Sequence, residues 1–451
     1  MIMETNTIKE LLNSKKEHQK ISLKGWIVTN RGNSKIRFLS LNDGSTISNL
    51  QIVADANLDL DAIDKWKVGS AIWVEGNLVL TPNAQQPCEL KATKMINLAQ
   101  TDDSFPIQKQ EINLETLREI PHVRHRTNIL RATMLIRSTL AKEIHNFFAS
   151  ENFLYMHSPI ITSNDGEGAG EAFNVTMDDP KENFFGNKKA TLAVTGQLQA
   201  ESYALGFQKV YTFGPTFRAE KSNTKRHAAE FWMIEPEVAF YQLQDVVQLA
   251  NRMLKFVINN TLKQHPDEFN FLDQKTDGQL LKNLNQFLNQ ELQVLDYADA
   301  IKILQQANVK FENNKIEFGI DLATEHEKYL TDIHFKAPVA VINYPKAIKA
   351  FYMHLNDDNQ TVAAFDLLVP GIGELIGGSQ REVNIDKLIE RMHYYNINIE
   401  EMQWYLDLRK FGNAGSAGFG LGFERLVMYV TGIENIRDAI PYPRTFGSLK
   451  M

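Results

Sequence analysis

Between residues 21 and 98, apolar positions alternate with polar ones in short runs: ISLKGWIVTN, KIRFLSLND, SNLQIVA, SAIWVEGNLVL and ELKATKMINL. Val, Ile and aromatic residues fill these runs, and turn formers such as Asn42-Asp43-Gly44 separate them, which predicts about five strands. A small barrel or sandwich is the expected result, with a five-stranded oligonucleotide-binding barrel as one candidate. TDDSFPIQKQ and the Pro121-containing EIPHVRHR then read as a hinge. Beyond it the period changes. In RATMLIRSTLAKEIHNFFASENF, Ile136, Leu140, Ile144 and Phe147 keep helical spacing. FLYMHSPIIT reads as a strand that Pro159 confines to an edge or a bulge. From 241 to 310 the pattern is helical, with DVVQLANRMLKFVINNTLK amphipathic and LLKNLNQFLNQELQ a solvated insertion. Strands return as PVAVINY, AFYMHL and TVAAFDLLVPGIGELIGG.

A chain of 451 residues exceeds one compact core and implies roughly two or three domains. With 43% hydrophobic and 23% charged residues, the disordered, collagenous and membrane classes drop out. No apolar run reaches the roughly 20 residues that span a bilayer, and MIMETNTIKELLNSKK is too polar for a signal peptide, so a cytoplasmic location is expected. A single cysteine, Cys88, can build neither an internal disulfide nor a thiolate zinc cage, and reads as a packed thiol. The net charge of −7 gives no global basic footprint, so any nucleic-acid surface must be local.

Three segments concentrate chemistry. In TFRAEKSNTKRHAAEFWMIEPE, strand-like ends enclose a polar middle. Arg218 and Glu220, two residues apart on a strand, share a face, and a loop then brings Arg226 and His227 before a returning strand offers Phe231 and Glu235. A hairpin that carries cations to one point makes an anion site; a surface salt bridge is the plainer alternative. In SAGFGLGFERL, Gly418, Gly420 and Gly422 permit close backbone approach ahead of a helix bearing Arg425. Phenylalanine stands at 423 where a dinucleotide fingerprint needs glycine, which leaves tight strand-to-helix packing as the alternative. Asp366 and Glu374 flank VPGIG, and Gly377, Gly378, Ser379 and Arg381 follow. Such carboxylates are Mg²⁺ ligands when phosphate oxygens complete the octahedron, and solvated loop acids otherwise. No Walker motif, HExxH or GxSxG elbow is present.

Together and in this order, the segment ending at Pro159, the FRAE hairpin and GFGLGFERL resemble the motifs of class II aminoacyl-tRNA synthetases. The likeness is nearest to the asparaginyl enzymes of bacterial type and runs from the barrel to IRDAIPYPRTF. It implies an α+β chain: an oligonucleotide-binding β-barrel at 1–105, a hinge at 106–126, and a class II catalytic domain at 127–451 with an antiparallel sheet flanked by helices and a helical insertion at about 261–300. It further implies a homodimer through the first motif, ATP as a substrate, Mg²⁺, L-asparagine and tRNA(Asn). In such enzymes Arg218 would grip the α-phosphate, Glu220 meet the adenine edge and Phe231 stack on the base. His227 with Arg425 would hold the terminal phosphates, and Arg226 belongs to the same ATP site. Glu374, with Asp366, would carry Mg²⁺. Glu167, in the glycine-rich GEGAGEAF, would meet the substrate α-amino group and Gln197 would orient the amino acid. Phe38 would stack on an anticodon base, with Arg31 and Gln51 at base edges.

The resemblance also bears on the substrate. Aspartyl relatives place a lysine where Ala200 stands and aspartate where Glu235 stands. Here the cation is missing, and the resemblance implies that the longer carboxylate would accept from an amide NH₂ while repelling aspartate's charge, with Arg381 near the amide oxygen. Bacterial aspartyl enzymes also carry a large insertion for which 451 residues leave little room. One departure is Ser416, where asparaginyl enzymes usually have histidine. It keeps two alternatives open: an adenylate-forming relative, such as an aspartate-activating asparagine synthetase, and a non-catalytic RNA-binding paralogue.

Overall fold

The computed structural model describes residues 6–84, 86–108, 110–163, 172–177, 184–186 and 188–451. The chain forms two compact units, Met1–Ile136 with His265–Leu272, and Arg137–Gln264 with Asp273–Met451.

In the first unit five strands close into a barrel: β1 (His18–Gly32), β2 (Ile36–Asn42), β3 (Leu50–Asp55), β4 (Ala71–Leu80) and β5 (Cys88–Ala99), in the order β1-β2-β3-β5-β4. The alternation read from the sequence is the cause. Leu39, Leu41, Ile52, Ile72, Val74 and Leu90 fill the interior, while the residues between them face out. Each such aliphatic side chain stabilises the barrel by about 1.5–3 kcal/mol through burial. Cys88 is among them, and burial pushes its thiol up, as befits an unreactive packed residue. The short segment His265–Leu272 belongs to this unit through Glu268, whose carboxylate accepts from the Thr46 hydroxyl at 3.0 Å and the Ile47 N–H at 3.2 Å.

The second unit is built on an eight-stranded sheet. Its strands are β6 (Leu154–Tyr155), β9 (Lys209–Phe217), β10 (Glu230–Ala239), β11 (Gln293–Asp296), β12 (Val339–Pro345), β13 (Thr361–Val369), β14 (Gly373–Gln380) and β15 (Ser416–Gly422). A separate pair is formed by β7 (Ile161–Thr162) and β8 (Thr191–Leu192). The order in the large sheet is β11-β12-β13-β14-β15-β10-β9-β6. Its centre is antiparallel as expected, whereas both edge pairs, β11 with β12 and β6 with β9, are parallel. β6 is an edge strand and Pro159 lies just beyond it, where a missing N–H breaks no ladder.

Helices cover the sheet. Leu243–Gln264 turns a continuous apolar face inward, including Val246, Val247, Ala250, Met253, Leu254 and Val257. Two expectations need correction. The Gln- and Asn-rich helix Gln279–Asn289 is not merely solvated, because Leu280, Leu284 and Phe287 are buried along one side. AFYMHL is not a strand: only Met353 and Leu355 make isolated bridges, since Phe351 and Tyr352 turn into an aromatic cluster instead. Among the described residues no helix is long and apolar enough to cross a membrane.

Candidate active site

Adjacent strands of the catalytic sheet place small residues where a ligand must lie close. Asp366 on β13 stands opposite Gly377 on β14, and Gly377 opposite Gly420 on β15. Across β10 and β9, Glu235 stands opposite Thr212. Above this floor opens a cavity of about 350 Å³. Gln197, Arg218, Glu220, Arg226, His227, Phe231, Glu235, Asp366, Glu374, Arg381 and Arg425 all line it. Segments that look unrelated along the chain therefore meet at one place.

The strand reading of Arg218 and Glu220 is corrected, because β9 ends at Phe217 and both residues lie on the irregular chain that follows. They still face the cavity. The loop is fixed from outside: Arg218 N–H donates to the Ala229 carbonyl at 3.0 Å, Ile436 N–H to the Lys225 carbonyl at 2.8 Å, and Ala229 N–H to the Arg444 carbonyl at 2.7 Å. The Arg218 guanidinium sits 5.4 Å over the Phe231 ring, and His227 lies 3.6 Å from Glu220. Arg425, on the helix Phe423–Thr431 that continues β15, donates to Glu374 at 3.3 Å. Arg226 is held by the Thr324 hydroxyl at 3.3 Å and the Ile372 carbonyl at 3.2 Å.

Carboxylates gather opposite these cations. A Cβ on Gly377 would lie 3.2 Å from Glu374 Oε1 and 3.4 Å from Asp366 Oδ1, so both acids lean over the same glycine. Burial raises the Glu374 carboxyl, Asp366 raises it further, and Arg425 and Lys349 oppose both effects. Asp366 is already paired with Lys349 at 2.6 Å. Burial works against the Lys349 ammonium, but Asp366 outweighs it and raises the lysine. Among the described residues no group of three His, Cys, Asp or Glu side chains could enclose a metal. A divalent ion here would need oxygens from a bound molecule, as Mg²⁺ does when it shares carboxylates with phosphates.

The other end of the cavity is a buried polar network. Glu235, 4% exposed, accepts from Thr195 Oγ1, from Gly196 N–H at 2.9 Å and from Thr212 Oγ1 at 3.1 Å. Beneath it Arg381 pairs with Glu237, Nε donating to Oε2 at 3.2 Å, while its Nη1 donates to Ser379 at 2.7 Å. Burial pushes Glu237 up to about 7 despite Arg381; burial also opposes the arginine's charge, but Glu237 overcomes it and keeps the guanidinium protonated. Close by, Glu201 pairs with Arg409 at 2.8 Å and accepts from Tyr405 at 2.5 Å. Gly418 makes room for this network, since a Cβ there would lie 2.2 Å from Glu237 Oε1. Gln197 begins the helix Gln197–Phe207, and its buried Nε2 meets no hydrogen-bond acceptor among the described residues. Ala200, on the same helix, is fully buried.

Four expected residues lie elsewhere. Glu167 falls outside the described residues. Arg31, Phe38 and Gln51 sit on the outer face of the barrel: Arg31 stands opposite Phe38, Phe38 opposite Val53, and Gln51 two residues before Val53 on the same side. Gln51 also donates to Glu89 at 3.2 Å. Ser416 is fully buried at the start of β15, away from the cavity lining, and its backbone carbonyl accepts from Arg381 N–H at 2.8 Å. Sequence reasoning missed Thr195, Lys349, Glu237 and Glu424, each of which shapes the site. Glu424 ties the cavity wall together by accepting from Trp232 N–H at 2.9 Å and Arg137 at 2.8 Å. Only the adjacency of Thr195 to Gln197 could have drawn attention to it.

Comparison with known proteins agrees with this geometry. Residues 113–446 match the model for class II tRNA synthetases (D, K and N), and residues 21–98 match the OB-fold nucleic acid binding domain. An asparagine–tRNA ligase of Mycoplasma mobile is 60% identical, over 98% of each chain. One from Clostridium tetani is 52% identical over 95% of each. The crystal structure of asparaginyl-tRNA synthetase from Pyrococcus horikoshii complexed with asparaginyl-adenylate superimposes with a TM-score of 0.87 at 32% identity, covering 99% of this chain and 100% of that one. An oligonucleotide-binding barrel, a sheet on which the FRAE hairpin and the GFGLGFERL segment meet at one cavity, and relatives matched nearly end to end assign this chain to the asparagine–tRNA ligase family of class II tRNA synthetases.

Proposed function

We propose that the cavity joins L-asparagine to ATP as asparaginyl-adenylate and that the enzyme then transfers asparagine to tRNA(Asn). The observation that carries this reading is the convergence of Arg218 and Arg425 on one cavity whose far end holds Glu235 and Gln197. A carboxylate oxygen of asparagine attacks the α-phosphorus in line, and the bond to the pyrophosphate oxygen breaks with its electron pair. A hydroxyl of the terminal ribose of tRNA then attacks the acyl carbon and AMP leaves. No protein nucleophile takes part; positioning and charge neutralisation lower the barrier.

In this reading Arg218 meets the α-phosphate, and Arg425 and His227 meet the terminal phosphates, with Arg226 in the same loop. Glu220 meets the adenine edge, and Phe231 stacks on the base. Glu374 would hold Mg²⁺, with Asp366 beside it, and the ion would neutralise phosphate charge when bound. Two carboxylates, with no third metal-binding side chain grouped with them among the described residues, fit an ion that shares its shell with phosphates. Gln197 orients the amino acid through its buried Nε2, and Glu167 meets the α-amino group. Glu235 accepts from the side-chain amide, and Arg381 faces the amide oxygen. Around that pocket three carboxyl groups, Glu201, Glu235 and Glu237, stand against two guanidiniums, Arg381 and Arg409. An aspartate side chain would add negative charge where it already predominates, whereas a neutral amide would not.

The barrel, taken as residues 1–105 ahead of a hinge at 106–126 and a catalytic domain at 127–451, reads the anticodon through Phe38, Arg31 and Gln51. The insertion at about 261–300 is taken with that catalytic domain, although its His265–Leu272 segment packs into the barrel unit. A homodimer through the first motif is supported by the exposed edge strand β6, with Leu154 and Tyr155 at 40% and 49% exposure and Ile160 and Ile161 beside them. A tRNA substrate supports a cytoplasmic location for the enzyme. Pyrophosphate exchange with each amino acid in turn, then charging of purified tRNA, tests the reading. Exchange that requires asparagine, followed by charging, is expected; exchange that requires aspartate, or exchange without charging, would favour the adenylate-forming relative.

A further inference from the structure

Between β13 and β14 the chain reverses through Pro370, Gly371, Ile372 and Gly373, with Gly371 and Gly373 at φ of +84° and +90°. A side chain at 373 would be strained in this conformation, and its Cβ would also lie 2.3 Å from Glu327 Oε2. The space is taken by a carboxylate. Glu327, 8% exposed, accepts the Glu374 N–H at 3.1 Å, and Asp332 accepts the Gly371 N–H at 2.9 Å. Both acids come from the helix Thr324–Lys328 and the π-helical turn Tyr329–His334 that continues it. From the loop after β9, Arg226 reaches the same turn, donating to the Ile372 carbonyl at 3.2 Å and to the Thr324 hydroxyl at 3.3 Å. Three polar backbone groups along the turn, on Gly371, Ile372 and Glu374, are thus held by side chains, and the last belongs to Glu374 itself.

We propose that Glu327 and Arg226 are positioning residues that together set this turn, and with it the Glu374 carboxylate, for the metal-bound nucleotide. The proposal rests on the reading of Glu374 as a Mg²⁺ ligand. Arg226 links two parts of the ATP site: the loop that carries Arg218 and His227 cannot shift without releasing the Ile372 carbonyl. Glu327 supplies the fixed end, because its carboxylate occupies the place where a side chain at 373 would begin.

Mn²⁺ binding to the full-length protein, measured by electron paramagnetic resonance with a non-hydrolysable ATP analogue present, tests this without turnover. Arg226→Ala and Glu327→Ala should each weaken Mn²⁺ affinity about 10- to 100-fold. Glu327→Gln keeps an oxygen for the Glu374 N–H and should stay within about 3-fold of the parent. The double variant should bind no more weakly than the weaker single, since both act through one turn. Arg226 lies at the cavity rim, so its variant carries the test even if Glu327→Ala does not fold. Unchanged Mn²⁺ affinity in Arg226→Ala, or fully additive losses, would overturn the proposal. Glu374→Ala separates the levels. If it leaves Mn²⁺ binding intact, the metal reading fails and the proposal falls with it. If it abolishes binding while Arg226→Ala and Glu327→Ala do not weaken it, only the clamp is wrong.

Discussion

Arg381 and Glu237 form an ion pair sealed from solvent at 2% and 0% side-chain exposure, directly under the end of the cavity assigned to the amino acid. Glu237→Ala would leave a buried guanidinium without its partner, and breaking such a pair costs about 3–5 kcal/mol. Denaturant unfolding should register that loss. Glu237→Gln, which keeps one acceptor in place, should lose less. A loss below about 1 kcal/mol in Glu237→Ala would mean that the Ser379 hydroxyl and the Tyr352 ring, 5.3 Å from the guanidinium, hold the arginine without it.

Acid should loosen the barrel unit through Glu268. Burial works against its charge, but the His265 side chain, backbone N–H groups and the Thr46 hydroxyl outweigh it and hold the carboxyl at about 2. Its folded value lies below its unfolded one, so the unfolded chain binds the proton more readily. The contribution is therefore complete above about pH 4.5 and is lost as pH falls toward about 2. Its size is on the order of 2–3 kcal/mol. Glu268→Gln should flatten the acid limb of the stability curve. An unchanged slope in the variant would contradict this assignment.

Phe38→Ala should spare pyrophosphate exchange and weaken tRNA charging about 5- to 100-fold, the value of one stacked base. Arg218→Ala should instead lower exchange itself by about 10²- to 10³-fold. Steady-state kinetics of both half-reactions distinguishes them. Equal loss of exchange in both variants would refute the division of labour between the barrel and the sheet.

The barrel was legible because one face of each strand is buried, which writes a period of two into the sequence: Leu39 and Leu41 lie inside, and Phe38 and Ser40 alternate with them on the outer side. The end of the cavity proposed for the nucleotide was legible because its arginines and glycines come in compact motifs. Its local conformation was not, since Arg218 and Glu220 converge by loop geometry rather than by the strand pleat. Networks assembled from distant single residues left no pattern at all. Lys349 beside Asp366, Glu327 under Gly373 and Glu237 under Gly418 become visible only once separate elements of the chain fold against one another. AFYMHL failed for another reason: aromatic residues that favour strands here pack into a cluster of their own.

The claim underlying all of this is that one cavity holds the nucleotide at its cationic end and asparagine at its carboxylate end. A crystal structure with a non-hydrolysable analogue of asparaginyl-adenylate tests it most directly. The expected result places the phosphate mimic on Arg218, the base against Phe231 and the side-chain amide within hydrogen-bond reach of Glu235. An analogue bound outside this cavity, or bound with its amide away from Glu235 and its phosphate mimic away from Arg218, would contradict it.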